Sequence, residues 1–172
     1  TEIGNLGTIA SEEILYPEIT RCLALRGAEV ILHPTSEPGS AELTIKEVCR
    51  RARAIENQVF VVAANSASID DTPIPAYTCS AMSKIVDFNG HVLAEAAQGG
   101  EAFNSNAVID IGALRRTRRR TAMSNVMSRQ PFDIYASTYA RAQYHQPNFL
   151  LQDGKVVEPP SRDVFRRRQE AN

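Results

Sequence analysis

GNLGTIASEEILYPE, residues 4–18, is the stretch from which the fold can be worked outward. Leu6, Thr8, Ile9 and Ala10 form a short apolar run of strand-compatible residues. Gly7 interrupts it, as suits a buried strand that another backbone approaches closely. The run stops at Ser11. Two acids follow, Glu12 and Glu13, and then Pro17 and Glu18 open an apolar-periodic segment. Proline in a first helical turn and an acid near the positive end of the helix dipole are the chemistry of a helix start. A strand that ends in a nucleophile-type residue, turns sharply and feeds a helix is how several hydrolase folds hold an activated side chain at the rim of a sheet. Ser11 before two acids is also a good helix N-cap, so a plain structural reading stands beside the chemical one.

Beyond the corner, Ile19, Cys22 and Leu23 share a helical stripe, which makes Cys22 a core thiol, and Gly27 ends the helix. Glu29–Thr35 reads as a compact apolar strand stopped by Pro34. His33 at its end could border a pocket, although a lone histidine is more often structural. Ser40 can cap a second helix with Glu42 in its first turn. Ile45, Val48, Cys49, Ala52 and Ile55 then make one apolar face, and Lys46, Glu47, Arg50, Arg51 and Arg53 the opposite, solvated one. Glu56 and Asn57 lead into the strand Val59–Asn65. Two helix–strand alternations after an opening strand predict an α/β layered fold.

Asn65–Tyr77 is a loop rich in Asp and Pro, long enough to be functional. Asn89-Gly90 between alternating apolar runs predicts a hairpin with a type I′ turn. Asn106–Ile111, NAVIDI, reads as a further strand. Arg115–Arg120, RRTRRR, lacks interleaved aromatics, so a solvated helix end or a subunit contact is a better reading than a nucleic-acid site. Asp153-Gly154 allows one turn near the end of the chain.

The 172 residues suffice for one domain with a substantial core, and 43% hydrophobic residues with a net charge of −1 demand no polyanionic partner. Neither nucleic acid nor membrane is an expected partner. Cys22, Cys49 and Cys79 are odd in number and lack metal-ligand spacing, so a reduced compartment, the cytoplasm, is expected. No signal peptide is expected, and the sequence holds no apolar run of about twenty residues.

Gly4, Leu6, Gly7, Glu13, Tyr16, Pro17 and Glu18 resemble the central motif of the nitrilase, or carbon–nitrogen hydrolase, superfamily, G-x-L-G-x-x-I-C-x-[DE]-x-x-[FY]-P-E. The family's nucleophilic cysteine falls on Ser11. ARAIENQVFVVAAN is similar to the family's A-x-E-N-x-x-[FY]-V-V-x-x-N. Ser83 and the I-V-D after it match the family's hairpin, with Ala81 in place of a glycine, and Arg129 to Tyr139 is similar to its terminal segment. The resemblance implies an αββα sandwich of which this sequence carries the downstream half, residues 1–142. Residues 143–172 would form a tail lying on the domain or on a partner subunit.

The same resemblance implies hydrolysis of an amide, carbamoyl or nitrile bond in a small molecule, with no metal or organic cofactor, by a homo-oligomer. Residue 11 would attack the carbon to give a covalent acyl-type intermediate, and the backbone N–H of Glu12 would supply part of the oxyanion site. Glu56, Asn57, Asn65 and Ser83 would support the pocket or hold its strands, with Glu13 and Glu18 bracing the corner. A thiol has an ordinary pKa of about 8.5, whereas a serine hydroxyl needs a strong, well-placed base. Little or no turnover is therefore expected with Ser11 in place. The alternative is a non-catalytic nitrilase-like binding or scaffold protein.

Overall fold

The structure, a computed structural model, describes residues 1–37, 44–67, 71, 73, 81–96, 104–121, 123–141, 151–153, 155–156 and 161–170. The chain divides into two units, Thr1–Gln130 and Pro131–Asn172, a division that precedes the 142/143 line drawn from sequence.

The first unit is built on a five-stranded sheet in the order β1-β2-β3-β4-β5. These strands are Leu6–Thr8, Val30–Thr35, Phe60–Asn65, Lys84–Val86 and Val92–Glu95. β1, β2 and β3 are parallel, and β4 and β5 continue the sheet antiparallel. The α/β reading is thus realised, with a helix at each parallel crossover. A 3-10 turn, Ser11–Leu15, and α1, Pro17–Leu25, link β1 to β2, and α2, Ile45–Asn57, precedes β3.

Alternation along the strands sorts the core onto two faces. Ile31, Val61 and Val86 pack on the side of α1, α2 and Ile14. Val30 and Phe60 pack on the other side beneath Leu114 of α3, Ile111–Arg119, with Phe88 edge-on to Phe60 at 5.5 Å. Gly7 is close-packed as expected, but against side chains, Leu23, Ala28 and Ile31, rather than another backbone.

α1 ends in a Schellman motif. Gly27 lies at φ +99° and donates to the Ala24 carbonyl at 2.9 Å, while Ala28 donates to that of Leu23 at 3.0 Å. Cys22, however, is exposed, and Thr20 and Ala24 take the buried positions. Ile19 and Leu23 of the expected stripe do pack against the core, beside Ala24.

The larger correction concerns α2, which is turned inside out. Ile45, Val48 and Ile55 are 74%, 50% and 47% exposed, while Glu47, Arg50 and Arg53 are buried. A helix turns inward the face that matches what lies beneath it. Beneath α2, beside the apolar core that Ala54 and Cys49 meet, lie polar groups: His33, Glu37, Lys84 and the carbonyls of Ile14 and Leu15, which accept from Arg53 at 3.0 and 2.7 Å. The N-cap is Thr44, whose hydroxyl accepts from the Glu47 N–H at 3.3 Å; Ser40 and Glu42 lie outside the described residues.

The β4–β5 hairpin forms where expected, but by a different turn. Gly90 donates to the Asp87 carbonyl at 2.9 Å and lies at φ +84°, and Asn89 is not among the residues with positive φ. One left-handed glycine after a tight turn, with a register shift at Ile85/Val86, is a bulged hairpin rather than a type I′ turn. Residues 104–110 are not the strand expected from NAVIDI. Their exposure alternates, but no ladder partner pairs with them among the described residues, and the Asp110 carboxylate caps α3 by accepting from Ala113 N–H at 2.7 Å.

α3 carries the arginine run, and two of its members are staples. Arg118 donates to the carbonyls of Ala28 at 2.7 Å and Gln58 at 2.9 Å. Arg115 forks onto Glu29 at 2.6 and 2.9 Å, and the Asn5 N–H adds a bond at 3.0 Å. Arg116, Arg119 and Arg120 are exposed, as a solvated helix end requires. The Arg115 hydrogen bond, aided by Asn5, outweighs burial and lowers the Glu29 pKa from its usual 4.5 to about 2. A carboxylate lowered on folding contributes stability above its unfolded pKa and loses it as pH falls toward the folded one. Glu29→Gln is accordingly expected to flatten the stability loss between about pH 4.5 and 2. Urea midpoints measured across that window check it, and an unchanged acid profile in the variant would contradict it.

The second unit contains α4, Phe132–Tyr139, a hairpin of β6, Leu151–Gln152, with β7, Lys155–Val156, and α5, Arg162–Glu170. Asp153, where the turn is expected, follows β6 at φ +52°, and Gly154 lies outside the described residues.

Candidate functional site at the Ser11 corner

The ladder of β1 runs out just past its end, where Ile9 N–H still bonds the Leu32 carbonyl at 3.0 Å. Ala10 is the N-cap of the 3-10 turn, so Ser11 is not a cap but the first residue inside it, at φ +47° and exposed. A non-glycine residue in the left-handed region costs on the order of 1–3 kcal/mol and persists only where its surroundings impose it. Two devices do so here. Glu13 folds back to accept the Ala10 N–H at 2.6 Å, and its own N–H reaches the Ala10 carbonyl at 3.0 Å. Ile14, fully buried, pins the turn to the core.

Ser11 is exposed, and Lys46 Nζ donates to its Oγ at 3.4 Å. Beneath the backbone sits His33, completely buried at the carboxyl end of β2. Its Nε2 is 2.8 Å from the Ser11 carbonyl and its Nδ1 is 3.3 Å from Arg50 Nε. Burial holds the His33 pKa below its usual value and the Arg50 charge adds to this, against the Ser11 carbonyl, which favours a bound proton. Arg50 is itself fully buried and is forked between Glu37 and Glu47; the second oxygen of Glu47 meets Lys84, which also reaches Glu95 at the rim at 2.6 Å.

Of the residues expected at the site, Asn65 and Ser83 are joined to it through this network. Asn65 Oδ1 accepts the Glu37 N–H at 2.8 Å, Asn65 N–H donates to Ser83 Oγ at 2.9 Å, and Asn65 Nδ2 reaches the Ala81 carbonyl at 2.7 Å. Ala81, where the family hairpin carries glycine, lies at φ +54°, the conformation a glycine suits. Glu12 stands exposed beside Ser11 on the turn. Glu56 and Asn57 are removed from Ser11 itself and reach the far end of its turn through Arg53, which holds the Ile14 and Leu15 carbonyls. They lie about 15 Å further along α2 than Lys46, by helical rise. There Glu56 pairs with Arg53 at 3.0 Å, and buried Asn57 donates to the Arg53 carbonyl at 3.0 Å. They close the helix end that leads into β3.

Sequence reasoning set Lys46, Glu47 and Arg50 in solvent, gave Glu37 and Lys84 no role and left His33 alone. The available signal was spacing: Glu47 and Arg50 stand three apart, close enough to pair on one helical face.

A sheet whose first parallel strand ends in an exposed hydroxyl residue on a left-handed strand-to-helix corner presents that side chain at the carboxyl edge of its strands, where open α/β sheets gather their ligands. Residues 1–119 match the family model for carbon-nitrogen hydrolase, and the chain belongs to that family. Human deaminated glutathione amidase is 31% identical over 137 residues, which cover 80% of this chain and 39% of that protein. The yeast omega-amidase NIT3 is 25% identical over 140 residues, or 81% of this chain and 45% of that one. The chain thus spans less than half the length of these relatives. Among solved structures, a carbon-nitrogen hydrolase from Helicobacter pylori aligns with a TM-score of 0.67 at 25% identity over 82% of this chain and 51% of its own. The NitFhit protein of C. elegans aligns with a TM-score of 0.64 at 30% identity over 78% and 31%. The fold is therefore that of the nitrilases, as the motif implied.

Proposed function

We propose that the protein is a hydrolase of small-molecule amides in which residue 11 occupies the nucleophile's place, and that the serine there leaves it with little or no turnover. The observation that carries this reading is the exposed Ser11 side chain on a left-handed corner at the carboxyl end of β1. The amidase names of the relatives favour an amide over a nitrile. In the reaction, residue 11 adds to the carbonyl carbon, the carbon–nitrogen bond breaks with the amine leaving protonated, and water then cleaves the acyl intermediate. The Glu12 N–H, next to residue 11, would supply part of the oxyanion site. Neither step calls on a metal or organic cofactor. The test is ammonia release from amides and nitriles by the longest natural reading frame containing this sequence. Rates near the uncatalysed background are expected, and robust turnover with Ser11 intact would overturn the claim of inactivity.

The non-catalytic binding or scaffold reading draws on a further observation. Among the described residues, the polar group bonded to Ser11 Oγ is the amine of Lys46, while Glu13, Glu37, Glu47 and both His33 nitrogens are committed elsewhere. A hydroxyl without a base is a poor nucleophile but an adequate hydrogen-bonding group. Amide binding without turnover, seen by calorimetry, would favour this reading.

We further propose self-association and a reducing, cytoplasmic setting. The apolar stripe of Ile45, Val48 and Ile55 supports the first, and the unpaired thiols of Cys22 and Cys49 support the second. Light scattering that returns a strict monomer would remove the first.

A further inference from the structure

We propose that His33 is the positioning residue for position 11: fixed in one tautomer by Arg50, it donates its Nε2–H to the Ser11 carbonyl and so holds the left-handed corner on which the side chain of residue 11 stands. The assignment follows from donor and acceptor identity. A guanidinium offers only N–H donors, so Arg50 Nε, 3.3 Å from His33 Nδ1, requires that nitrogen to accept. A neutral imidazole then carries its proton on Nε2, and at 2.8 Å the Ser11 carbonyl, which can only accept, takes it. One tautomer satisfies both contacts; the other satisfies neither.

The groups around the ring oppose its protonation at the one site open to it. A second proton on Nδ1 would face the Arg50 N–H and place two cations side by side in a site with no exposure. Lys46, on the same helix, adds positive charge, and Glu37 opposes it. Glu37 and Glu47 are themselves engaged by Arg50, and Glu47 also by Lys84, so the nearby carboxylates act on Arg50 before they act on the ring. Arg50 cannot swing away to relieve the clash, because each side of its fork is bound.

The consequence for the corner is geometric. A left-handed residue turns its carbonyl in a direction that neither the preceding strand nor an ordinary helix would give it, and a buried N–H aimed at that oxygen rewards the turned conformation alone. Asn65 extends the support to β4 by joining the Glu37 N–H to Ser83. This inference rests on reading position 11 as the nucleophile's place, but its tests need no substrate.

The first test is two-bond nitrogen–proton NMR on histidine-labelled intact chain. His33 is expected to show the Nε2–H tautomer and to stay neutral well below pH 6.5, the ordinary midpoint. An Nδ1–H tautomer, or titration at that ordinary midpoint, would overturn the proposal. The second test uses Ser11→Cys as a reporter, alkylated with iodoacetamide across pH. His33→Gln retains a side-chain N–H and is expected to keep the parent profile. His33→Phe fills the space without a donor and is expected to move the midpoint up by about one unit toward that of a free thiol, with roughly tenfold slower alkylation near neutrality. Circular dichroism on each variant establishes that it is folded. Superimposable profiles for Gln and Phe would refute the positioning role. Absence of amide turnover in Ser11→Cys, with both tests met, would count against the hydrolase reading alone.

Discussion

Arg50→Ala is expected to destabilise the Thr1–Gln130 unit by about 3–5 kcal/mol, the cost of breaking a buried ion pair by removing one partner. The side chain has no exposed surface, and truncation removes the only buried cation bonded to Glu37 among the described residues while Glu47 keeps Lys84. Glu37 would remain 3% exposed with two hydroxyls, Thr35 and Thr44, as side-chain donors at 3.3 and 3.4 Å. Neither offsets the loss of a cation in a low-dielectric site. Thermal unfolding should show a midpoint lowered by roughly 10 °C or more. Glu95→Gln supplies the contrast: its carboxylate sits 39% exposed at the rim, and rim pairs contribute about 1 kcal/mol or less. A loss for Arg50→Ala as small as that for Glu95→Gln would show that the network is not the structural centre of the site.

Ser11→Cys, introduced into the longest natural reading frame, is expected to raise ammonia release from the best amide of a panel by several orders of magnitude. Removing the nucleophile from a hydrolase site costs up to about 10⁶ in rate, and restoring a usable one should return much of it. The corner favours a thiolate. Lys46 Nζ lies 3.4 Å from the Oγ that the sulfur would replace, and the first N–H groups of the 3-10 turn follow it directly. Both lower a thiol's pKa, whereas a hydroxyl many units higher gains no useful ionisation from either. Turnover confined to the cysteine form would establish the reaction class. If neither form acts on any amide while both bind one, the scaffold reading gains.

The order of elements was legible because it depends on local chemistry. Pro17 and Gly27 bound α1, the apolar runs gave β2 and β3, and Asn89-Gly90 marked the hairpin. What depended on a neighbour was not legible. NAVIDI has the alternation of a strand, but a strand exists only where a ladder partner meets it, and Asp110 turns the chain into α3 instead. The hydrophobic face of α2 was identified correctly as a face and assigned to the wrong side, because periodicity reports which residues share a face and is silent about what that face will meet. The candidate site shows the same limit. Position 11 could be found from strand, corner and motif, whereas the group that holds it arrives from β2 and α2, twenty-two and thirty-nine positions away.

The inversion of α2 also decides where this protein can be altered without harm. A routine effort to improve solubility would replace the exposed Ile45, Val48 and Ile55 with lysine or glutamate, and would treat a charge swap at Glu47, Arg50 or Arg53 as a harmless surface edit. The exposures reverse that advice. Changes at Ile45 and Val48 would probe association without removing a hydrogen bond of the corner, whereas Ile55 also packs against Gly90 of the β4–β5 hairpin. A single charge exchange two residues along, at Glu47 or Arg50, would reach, through Arg50 and His33, the backbone of residue 11 itself.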